Sequence, residues 1–442
     1  MYKGIGMVLI MLGTAQSIHA ISNSAKMNEL SDSQLSEVTG QALMSLTYIA
    51  PTDAANLESK RTGANNIGFY KLGMEAELEL NANIKKLQLG CGGVNGAGGC
   101  DIDIDHLSLS GDSNTRDGRA SSSAKLTNPF MEFAIKNPNS ASTREIVGLR
   151  LSSEKAQGMI TFGQENSDTP NGINSLSGYM EVASTVGTAK VNPYFNLTPD
   201  KVGGAQISGL ASGTKFTTTK YDLNLTADGV YYTPANAANA PKLMGNLVLN
   251  QQAITGKRIS STILKATANV SNIKLTGDLT AQVWGFINLG KQADGVINNL
   301  GVDVTINENL GLFHKANLNG TSASLSLQAQ NILWPSTKSV AQNGWWLEFS
   351  DPIDIGRIDP INPVDIASNT IKDSLAEVSK YLSNPKTQVE CGWAGLLSCL
   401  GGDPLKINVD LKDANKVPMD LVNITMINQS FAPNCYGSLK FC

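Results

Sequence analysis

Residues 74–84 read MEAELELNANI and alternate apolar with polar side chains at every position. Successive side chains of a β-strand point to opposite faces, so Met74, Leu78 and Ile84 would share one face and the glutamates and asparagines the other. The pattern predicts a half-buried strand whose apolar face is turned inward. It favours a β-rich protein.

Short segments with the same alternation recur along the chain, and clusters of Gly, Asn, Asp and Ser separate them, which is typical of turns. They lie at residues 149–151, 223–225, 247–249, 273–275, 302–306, 325–327 and 407–411. Many short strands with frequent turns predict a mostly β fold. We expect an elongated body that is a β-sandwich, barrel-like or a β-solenoid.

Two helices are predicted beside the strands. The first is short and N-terminal: Ser31 begins a capping-box pattern and Gly40 ends the segment. The second is amphipathic and lies near residues 370–383, where Ile371, Leu375 and Val378 recur at helical spacing. Its other face is charged, so we expect it to pack on the body through its apolar side.

The charge content excludes one class of partner. Only 16% of the 442 residues are charged, and 34 basic residues against 38 acidic ones leave a formal net charge of -4. Nucleic-acid binders need a basic excess to neutralise phosphates. We therefore expect no nucleic-acid partner.

The first twenty residues have the layout of a secretory signal peptide. Lys3 is followed by the apolar run 5–12, and Ala20 offers a small residue at the cleavage position. The predicted organisation is a signal peptide at 1–20, a helix–strand motif at 21–50, a long β body at 51–345 and a disulfide-containing C-terminal region at 346–442. The last boundary rests on the change to the acidic, proline-punctuated segment that follows Trp345 and Trp346.

Six cysteines agree with export, because disulfides form in oxidising compartments. They fall into three pairs that are close in sequence, although six cysteines permit other connectivities. The local pairing joins Cys91 with Cys100, Cys391 with Cys399 and Cys435 with Cys442. Short loops cost little entropy to close, which favours these three pairs.

Few residues are candidates for catalysis or for binding a ligand. Asp101, Asp103 and Asp105 would point the same way on a strand and could hold Ca²⁺, but His106 stands where an EF-hand loop needs glycine. A solvated strand face is the simpler interpretation, so no cofactor is expected. Trp345 and Trp346 could stack on a glycan, or could equally be packing residues. No catalytic motif occurs, and we expect a protein that is not an enzyme.

Residues 41–50 could join another protein by β-strand addition, in which a strand of one chain extends the sheet of another. Its apolar candidates are Leu43, Met44, Leu46 and Tyr48. The alternative is that the segment is the first strand of its own sheet.

The residues after the predicted cleavage site carry a resemblance to a known family. Residues 27–41 read MNELSDSQLSEVTGQ, and the segments 100–105 (CDIDID) and 172–180 (GINSLSGYM) extend the similarity. The chain resembles FilA-type pilus-system proteins of Gram-negative bacteria, and the N-terminal motif is its sharpest part. That family has no established catalytic residues. The resemblance implies a non-enzymatic part of a cell-surface filament.

The length favours an accessory or tip protein over a shaft subunit, because chaperone–usher shaft subunits are shorter, and no type IV prepilin leader occurs. The expected partners are other exported or pilus-system proteins, and the expected location is the periplasm, outer membrane or cell surface. Two alternatives stay open: an outer-membrane β-barrel or barrel-associated protein, and a secreted polysaccharide-binding module or hydrolase. Outer-membrane association and homo-oligomer formation are also open.

Overall fold

Three β-sheets and one long helix make up most of the structure. A computed structural model describes residues 44–62, 66–164, 169–233, 235–391, 399 and 404–434. The predicted signal peptide, the predicted helix at 31–40, Leu43 and the pair Cys435 and Cys442 lie outside the described residues. Within them the prediction of a mostly β, sandwich-like body is confirmed.

The first sheet has 11 strands and is strongly curled. Its strands are β1 (Met44–Ile49), β2 (Ile67–Met74), β3 (Glu77–Leu80), β4 (Ala82–Leu89), β5 (Ile102–Ser110), β6 (Ala124–Lys136), β7 (Glu145–Thr161), β8 (Ile173–Val182), β14 (Gln252–Ile259), β19 (Lys315–Gln328) and β20 (Gly344–Ile353). The main order is β1-β2-β6-β7-β19-β20-β8-β5-β4. Because β5 also pairs with β7, the strands β7, β19, β20, β8 and β5 close into a ring.

The other two sheets face each other. The second contains β10 (Tyr194–Leu197), β11 (Ser208–Ala211), β12 (Thr214–Thr226), β16 (Ile273–Val283), β17 (Ile287–Asn298) and β21 (Leu405–Asp410). The third contains β9 (Thr185–Val191), β13 (Leu243–Leu249), β15 (Ser261–Val270), β18 (Leu300–Asn309) and β22 (Val417–Val422). Asn272 and Asn299, both at positive φ, lie where the chain passes from one sheet to the other. Asn adopts positive φ more readily than most residues, so it is a favourable residue at both crossings.

Helices are few and short, apart from one. They are α1 (Arg116–Ala120), α2 (Ser368–Leu382) and single 3₁₀ turns at Glu58–Lys60, Pro199–Val202, Ala237–Asn239, Leu310–Leu312 and Ile427–Gln429. Helix α2 confirms the predicted amphipathic helix: Ile371, Leu375 and Val378 are buried, and the helix packs on β11, β21 and β22. These side chains help to line an apolar cavity of about 70 Å³ between the two facing sheets.

A second, smaller core lies on the outside of the first sheet. Residues 329–343, here called the arm, cross this face and bury Ile332 and Trp334 against Phe69 and Val147. Gly148 makes the close approach possible, because a Cβ at this position would lie 2.8 Å from Trp334 Cζ2. The arm therefore covers one face of β2, β6, β7, β19 and β20. Their other face is the concave side of the curled sheet.

The stretch 74–84 does not form the predicted half-buried strand. It divides among the end of β2, all of β3 and the start of β4. Its apolar side chains are not turned inward: Met74 is 46% exposed, Leu78 46% and Ile84 38%. The prediction of strand was correct, but the prediction of burial was wrong, because no other layer of the described residues covers this side of the sheet.

In two of the shorter alternating segments the burial is also opposite to the prediction: the polar side chain is buried and an apolar neighbour is exposed. In 149–151 the buried side chain is Arg150, at 3% exposure, while Leu151 is 46% exposed. In 325–327 the serine, Ser326, is buried and Leu327 is 40% exposed. Both segments belong to the curled sheet, where the arm covers the polar side chains. In the two facing sheets the alternate apolar residues of the predicted strands, such as Leu247, Leu249 and Val302, are buried as expected, while Val248 is 40% exposed.

The composition change near Trp345 and Trp346 does not separate two compact units. The described residues from Met44 onward belong to one unit. The C-terminal region supplies β20 to the first sheet, and β21 and β22 pair in parallel with β17 and β18. The last strands thus complete sheets that the preceding body begins.

Candidate functional site: an open apolar face

The concave side of β1, β2, β6, β7, β19 and β20 carries apolar side chains in register across all six strands; we call it the open face. The strand registers align two such rows, with each residue paired to the next. One row is Leu46, Leu72, Met131, Leu151, Leu325 and Leu347; the other is Tyr48, Tyr70, Phe133, Leu149, Leu327 and Trp345. Neighbouring side chains in such rows touch, so the face is one continuous apolar surface.

Solvent reaches this surface along much of its length. Leu46 is 72% exposed, Leu151 46% and Met131 37%, although all three are large apolar residues. Part of the face deepens into a groove of about 540 Å³, with only serines as polar lining residues. Solvent-exposed apolar surface of this extent marks a site of interaction. A groove whose described lining is apolar apart from serines suits the binding of an apolar partner.

The open face ends at β1, whose outer edge pairs with no strand of the described sheets. Its sequence, MSLTYI, contains no charged residue and no proline. An edge strand of this kind leaves backbone N–H and C=O groups ready to pair with another strand. Strand β1 is therefore the feature that most directly offers a binding mode.

Other edge strands of the described sheets are guarded against such pairing. Charged residues or proline stand in β3 (Glu77, Glu79), β4 (Lys85, Lys86), β14 (Lys257), β21 (Lys406) and β22 (Pro418, Asp420), and β10 and β11 have four residues each. The edge of β9 is covered, because Ile358 N donates to Val186 O and Val364 N donates to Lys190 O. Strand β1 lacks each of these devices.

The start of the open face is held by two tyrosines. Tyr48 of β1 stacks on Tyr70 of β2 with ring centroids 4.3 Å apart. Burial, followed by the neighbouring Tyr70, raises the pKa of Tyr48. Gly68 leaves room for the ring, since a Cβ there would lie 2.9 Å from Tyr48 Cε2. This contact fixes β1 on its own sheet, as the alternative interpretation of residues 41–50 predicts.

The covered face, on the opposite side of the same strands, explains why the open face is the apolar one. Arg150 Nε donates to Glu132 Oε2 at 2.9 Å, and both side chains are buried beneath the arm region. Burial raises the pKa of Glu132 and lowers that of Arg150. A buried ion pair of this kind adds little net stability but is costly to break. The polar side chains of these strands thus lie on the face that the arm covers.

The three aspartates predicted as a calcium alternative do not act together. Lys86 Nζ lies 2.6 Å from Asp103 Oδ1 and 2.9 Å from Asp105 Oδ1, so a lysine already bridges these two carboxylates. Burial opposes ionisation of Asp103, but hydrogen bonds from Lys86 and others outweigh it and lower its pKa. Asp101 precedes β5 and is buried, at 1% exposure, whereas Lys86 bridges only the other two carboxylates. In the part of the chain that the structure describes, no group of three or more His, Cys, Asp or Glu is arranged to hold a metal ion.

Asp101 instead anchors the disulfide loop Cys91–Cys100, together with Arg258 of β14. Arg258 Nε donates to Asp101 Oδ1 at 2.9 Å, and the same guanidinium donates to the carbonyl oxygens of Gly90, Asn95 and Gly96. Arg258 could not be recognised from the sequence, because 157 residues separate it from its carboxylate.

Arg119 of α1 is a second residue whose role could not be predicted from the sequence. It is fully buried, yet its hydrogen-bond partners are hydroxyls and a carbonyl: Ser108, Ser110, Thr161 and the backbone oxygen of Ala432. Burial lowers the pKa of Arg119 to about 10. The guanidinium ties residues 431–434 to the curled sheet, from which they are distant in sequence.

The two tryptophans considered for glycan stacking point to opposite sides of β20. Trp346 is 2% exposed and donates from Nε1 to Ser339 Oγ of the arm, so its ring is not available to a ligand. Trp345 lies on the open face, at the end of one apolar row. The structure therefore does not bring the two indoles into one binding platform.

Two of the predicted disulfides, Cys91–Cys100 and Cys391–Cys399, are present. Disulfides persist in oxidising surroundings, so the protein belongs outside the cytoplasm. Among the helices that the structure describes, none is sufficiently long and apolar to span a membrane.

Fold and site together define a mostly β, disulfide-bonded extracytoplasmic protein with an exposed apolar face and an open sheet edge. Comparisons with models of known protein families, with curated proteins and with solved structures found no match. Function must therefore be argued from the site itself.

Proposed function

We propose that this protein is a non-enzymatic exported surface protein and serves as a component, accessory protein or tip protein of a bacterial pilus system. Its location would be the periplasm, outer membrane or cell surface of a Gram-negative bacterium. The resemblance of residues 27–41 to FilA-type proteins suggests the system, and the disulfides agree with export. The single observation that carries the binding role is the unguarded edge of β1.

The partner that fits this edge is a β-strand of another exported protein. Main-chain hydrogen bonds to β1 would supply affinity, and alternate side chains would supply specificity. Since Met44, Leu46 and Tyr48 share the open face, apolar residues at every second position of the added strand would extend the apolar rows. Such a strand would be uncharged on that face.

One substitution separates assembly from folding. Leu46→Lys places a charge at the centre of β1, and such charges are a common natural means of blocking strand pairing at an edge. Leu46 is 72% exposed, so we expect the free energy of unfolding to change by no more than about 0.5 kcal/mol. Val186→Lys is the matched control, because Val186 is 53% exposed on β9, whose edge is covered.

The experiment is immunogold electron microscopy of intact cells that produce each form. We expect label along filaments or at their tips for the unmodified protein and for Val186→Lys, and loss of that label for Leu46→Lys, which remains folded and exported. Unmodified protein that is never found on filaments would refute the pilus role. Filament label that survives Leu46→Lys would refute the role of β1.

A further inference from the structure

The hairpin that joins β16 to β17 ends in two aromatic side chains that face solvent. Trp284 is 56% exposed and Phe286 is 74% exposed, which makes Phe286 the most exposed large apolar residue in the described part of the chain. By contrast, Trp334 and Trp346 are 1% and 2% exposed. We call residues 284–286 the tip.

The backbone of the tip does not favour a tryptophan. Phe286 N donates to Val283 O at 3.3 Å, and both central residues of this turn have positive φ, 52° at Trp284 and 79° at Gly285. Turns of this kind prefer Asn-Gly, because a bulky side chain in the left-handed region costs about 1 kcal/mol or more. Six other non-glycine residues at positive φ in the described chain are indeed Asn. Folding therefore gains nothing from the indole at this position.

The shape of the tip is convex. A Cβ added to Gly285 would have no atom within 4 Å, so the turn projects freely. A projecting pair of aromatic side chains cannot enclose a small ligand, but it can enter a fluid apolar phase without a matching pocket. Tryptophan in particular prefers the boundary between lipid headgroups and acyl chains.

The charges around the tip are suited to an anionic surface. Lys215 of β12 is exposed and lies one position beyond the pair Phe216 and Val283, beside Trp284. The nearest acidic residue along β16 is Asp278, six residues from Trp284, or about 20 Å at the rise of a strand. An exposed lysine beside the tip would attract lipid phosphates.

We infer that the tip is a lipid contact: Trp284 and Phe286 enter the interfacial layer of a bilayer while Lys215 faces its anionic headgroups. This inference is independent of the pilus role, since the tip belongs to a different sheet from β1. Binding would be peripheral and reversible, because two aromatic side chains bury little apolar area.

The test uses the full chain with two kinds of vesicle, phosphatidylcholine alone and phosphatidylcholine mixed with phosphatidylglycerol. The double variant Trp284→Asn and Phe286→Thr removes both rings and leaves the favoured Asn-Gly turn, so its folding is preserved. The matched control is Val422→Thr, because Val422 is 66% exposed on β22. Co-sedimentation measures binding, and quenching of tryptophan fluorescence by brominated acyl chains reports insertion.

We expect the unmodified protein and Val422→Thr to bind mixed vesicles more tightly than phosphatidylcholine, with quenching by brominated chains. The double variant should bind at least about tenfold more weakly, and Lys215→Ala about fivefold more weakly on mixed vesicles alone. Absence of vesicle binding by the unmodified protein would overturn the inference. Equal binding by the double variant would place the lipid contact elsewhere on the protein, and binding without quenching would show that no aromatic ring inserts; either result would overturn the inference too.

Discussion

Glu308 should make the stability of the fold depend on pH in a direction opposite to that of most carboxylates. It lies on β18, 1% exposed, and its Oε2 accepts a hydrogen bond from Ile424 N at 2.8 Å. Its Oε1 is buried and meets no hydrogen-bond donor among the described residues. Burial raises the pKa of Glu308 from 4.5 to about 7, against a smaller lowering by the Ile424 hydrogen bond.

The direction in which stability changes with pH follows from proton binding. Between pH 4.5 and about 7 the folded chain holds a proton on Glu308 that the unfolded chain releases, so folding is favoured most at the acidic end of this window. The associated stability is fully present below pH 4.5 and is lost as the pH rises through about 7. At 1.36 kcal/mol per pH unit between the two pKa values, the loss amounts to about 3 kcal/mol.

Glu308→Gln tests this reasoning, because glutamine keeps an acceptor for Ile424 N and stays neutral at every pH. We expect the variant and the unmodified protein to have the same free energy of unfolding at pH 4. At pH 8 the variant should be more stable by about 3 kcal/mol. Urea unfolding at a series of pH values, with disulfides intact, measures the difference.

Asp410→Asn provides a control of opposite sign. A hydrogen bond from Asn299, followed by one from the backbone of Lys412, lowers the pKa of Asp410, so its stabilising contribution is lost as the pH falls. The Asp410 variant should therefore differ from the unmodified protein at neutral pH and approach it in acid. A Glu308→Gln difference that stays constant between pH 4 and 8 would refute the argument.

Two further substitutions test Arg258, which is half-buried and pairs with buried Asp101, and Arg119, which is fully buried. Arg258→Ala should destabilise the protein by about 3 kcal/mol, because Asp101 is left buried without its cation, and should speed reduction of the neighbouring disulfide by dithiothreitol; an unchanged reduction rate would contradict this anchoring role. Arg119→Met should release the segment at Ala432, which Arg119 Nη1 holds at 2.8 Å. Hydrogen exchange should then accelerate at residues 431–434 while β16 and β17 remain protected, and uniform protection would argue against the tie.

Much of the local structure could be predicted from residue order alone. The amphipathic spacing of Ile371, Leu375 and Val378 predicted a helix near 370–383, and α2 occupies Ser368–Leu382. Sequence proximity also predicted the disulfides Cys91–Cys100 and Cys391–Cys399. These features depend on contacts between residues less than about three helical turns apart, and such contacts can be predicted from the spacing of residues along the chain.

The candidate site could be predicted only in part. Residues 41–50 were recognised as a strand with a potential for edge pairing, and Met44, Leu46 and Tyr48 do lie on β1. The open face was not recognised, because its rows join six strands drawn from residues 44–353. One signal was present: β2 has apolar side chains on both faces, with Phe69 on one and Leu72 on the other.

The amino-acid sequence by itself determined the class of the protein: a mostly β, disulfide-bonded chain with one amphipathic helix. Period-two alternation establishes that the two faces of a strand differ, but it does not state which face will be covered. That choice was made by tertiary structure, where the arm at 329–343 covers Arg150 and Ser326 and leaves Leu151 and Leu327 in solvent. The physical reason is that burial depends on a layer supplied from elsewhere in the chain, whereas strand formation depends on neighbours.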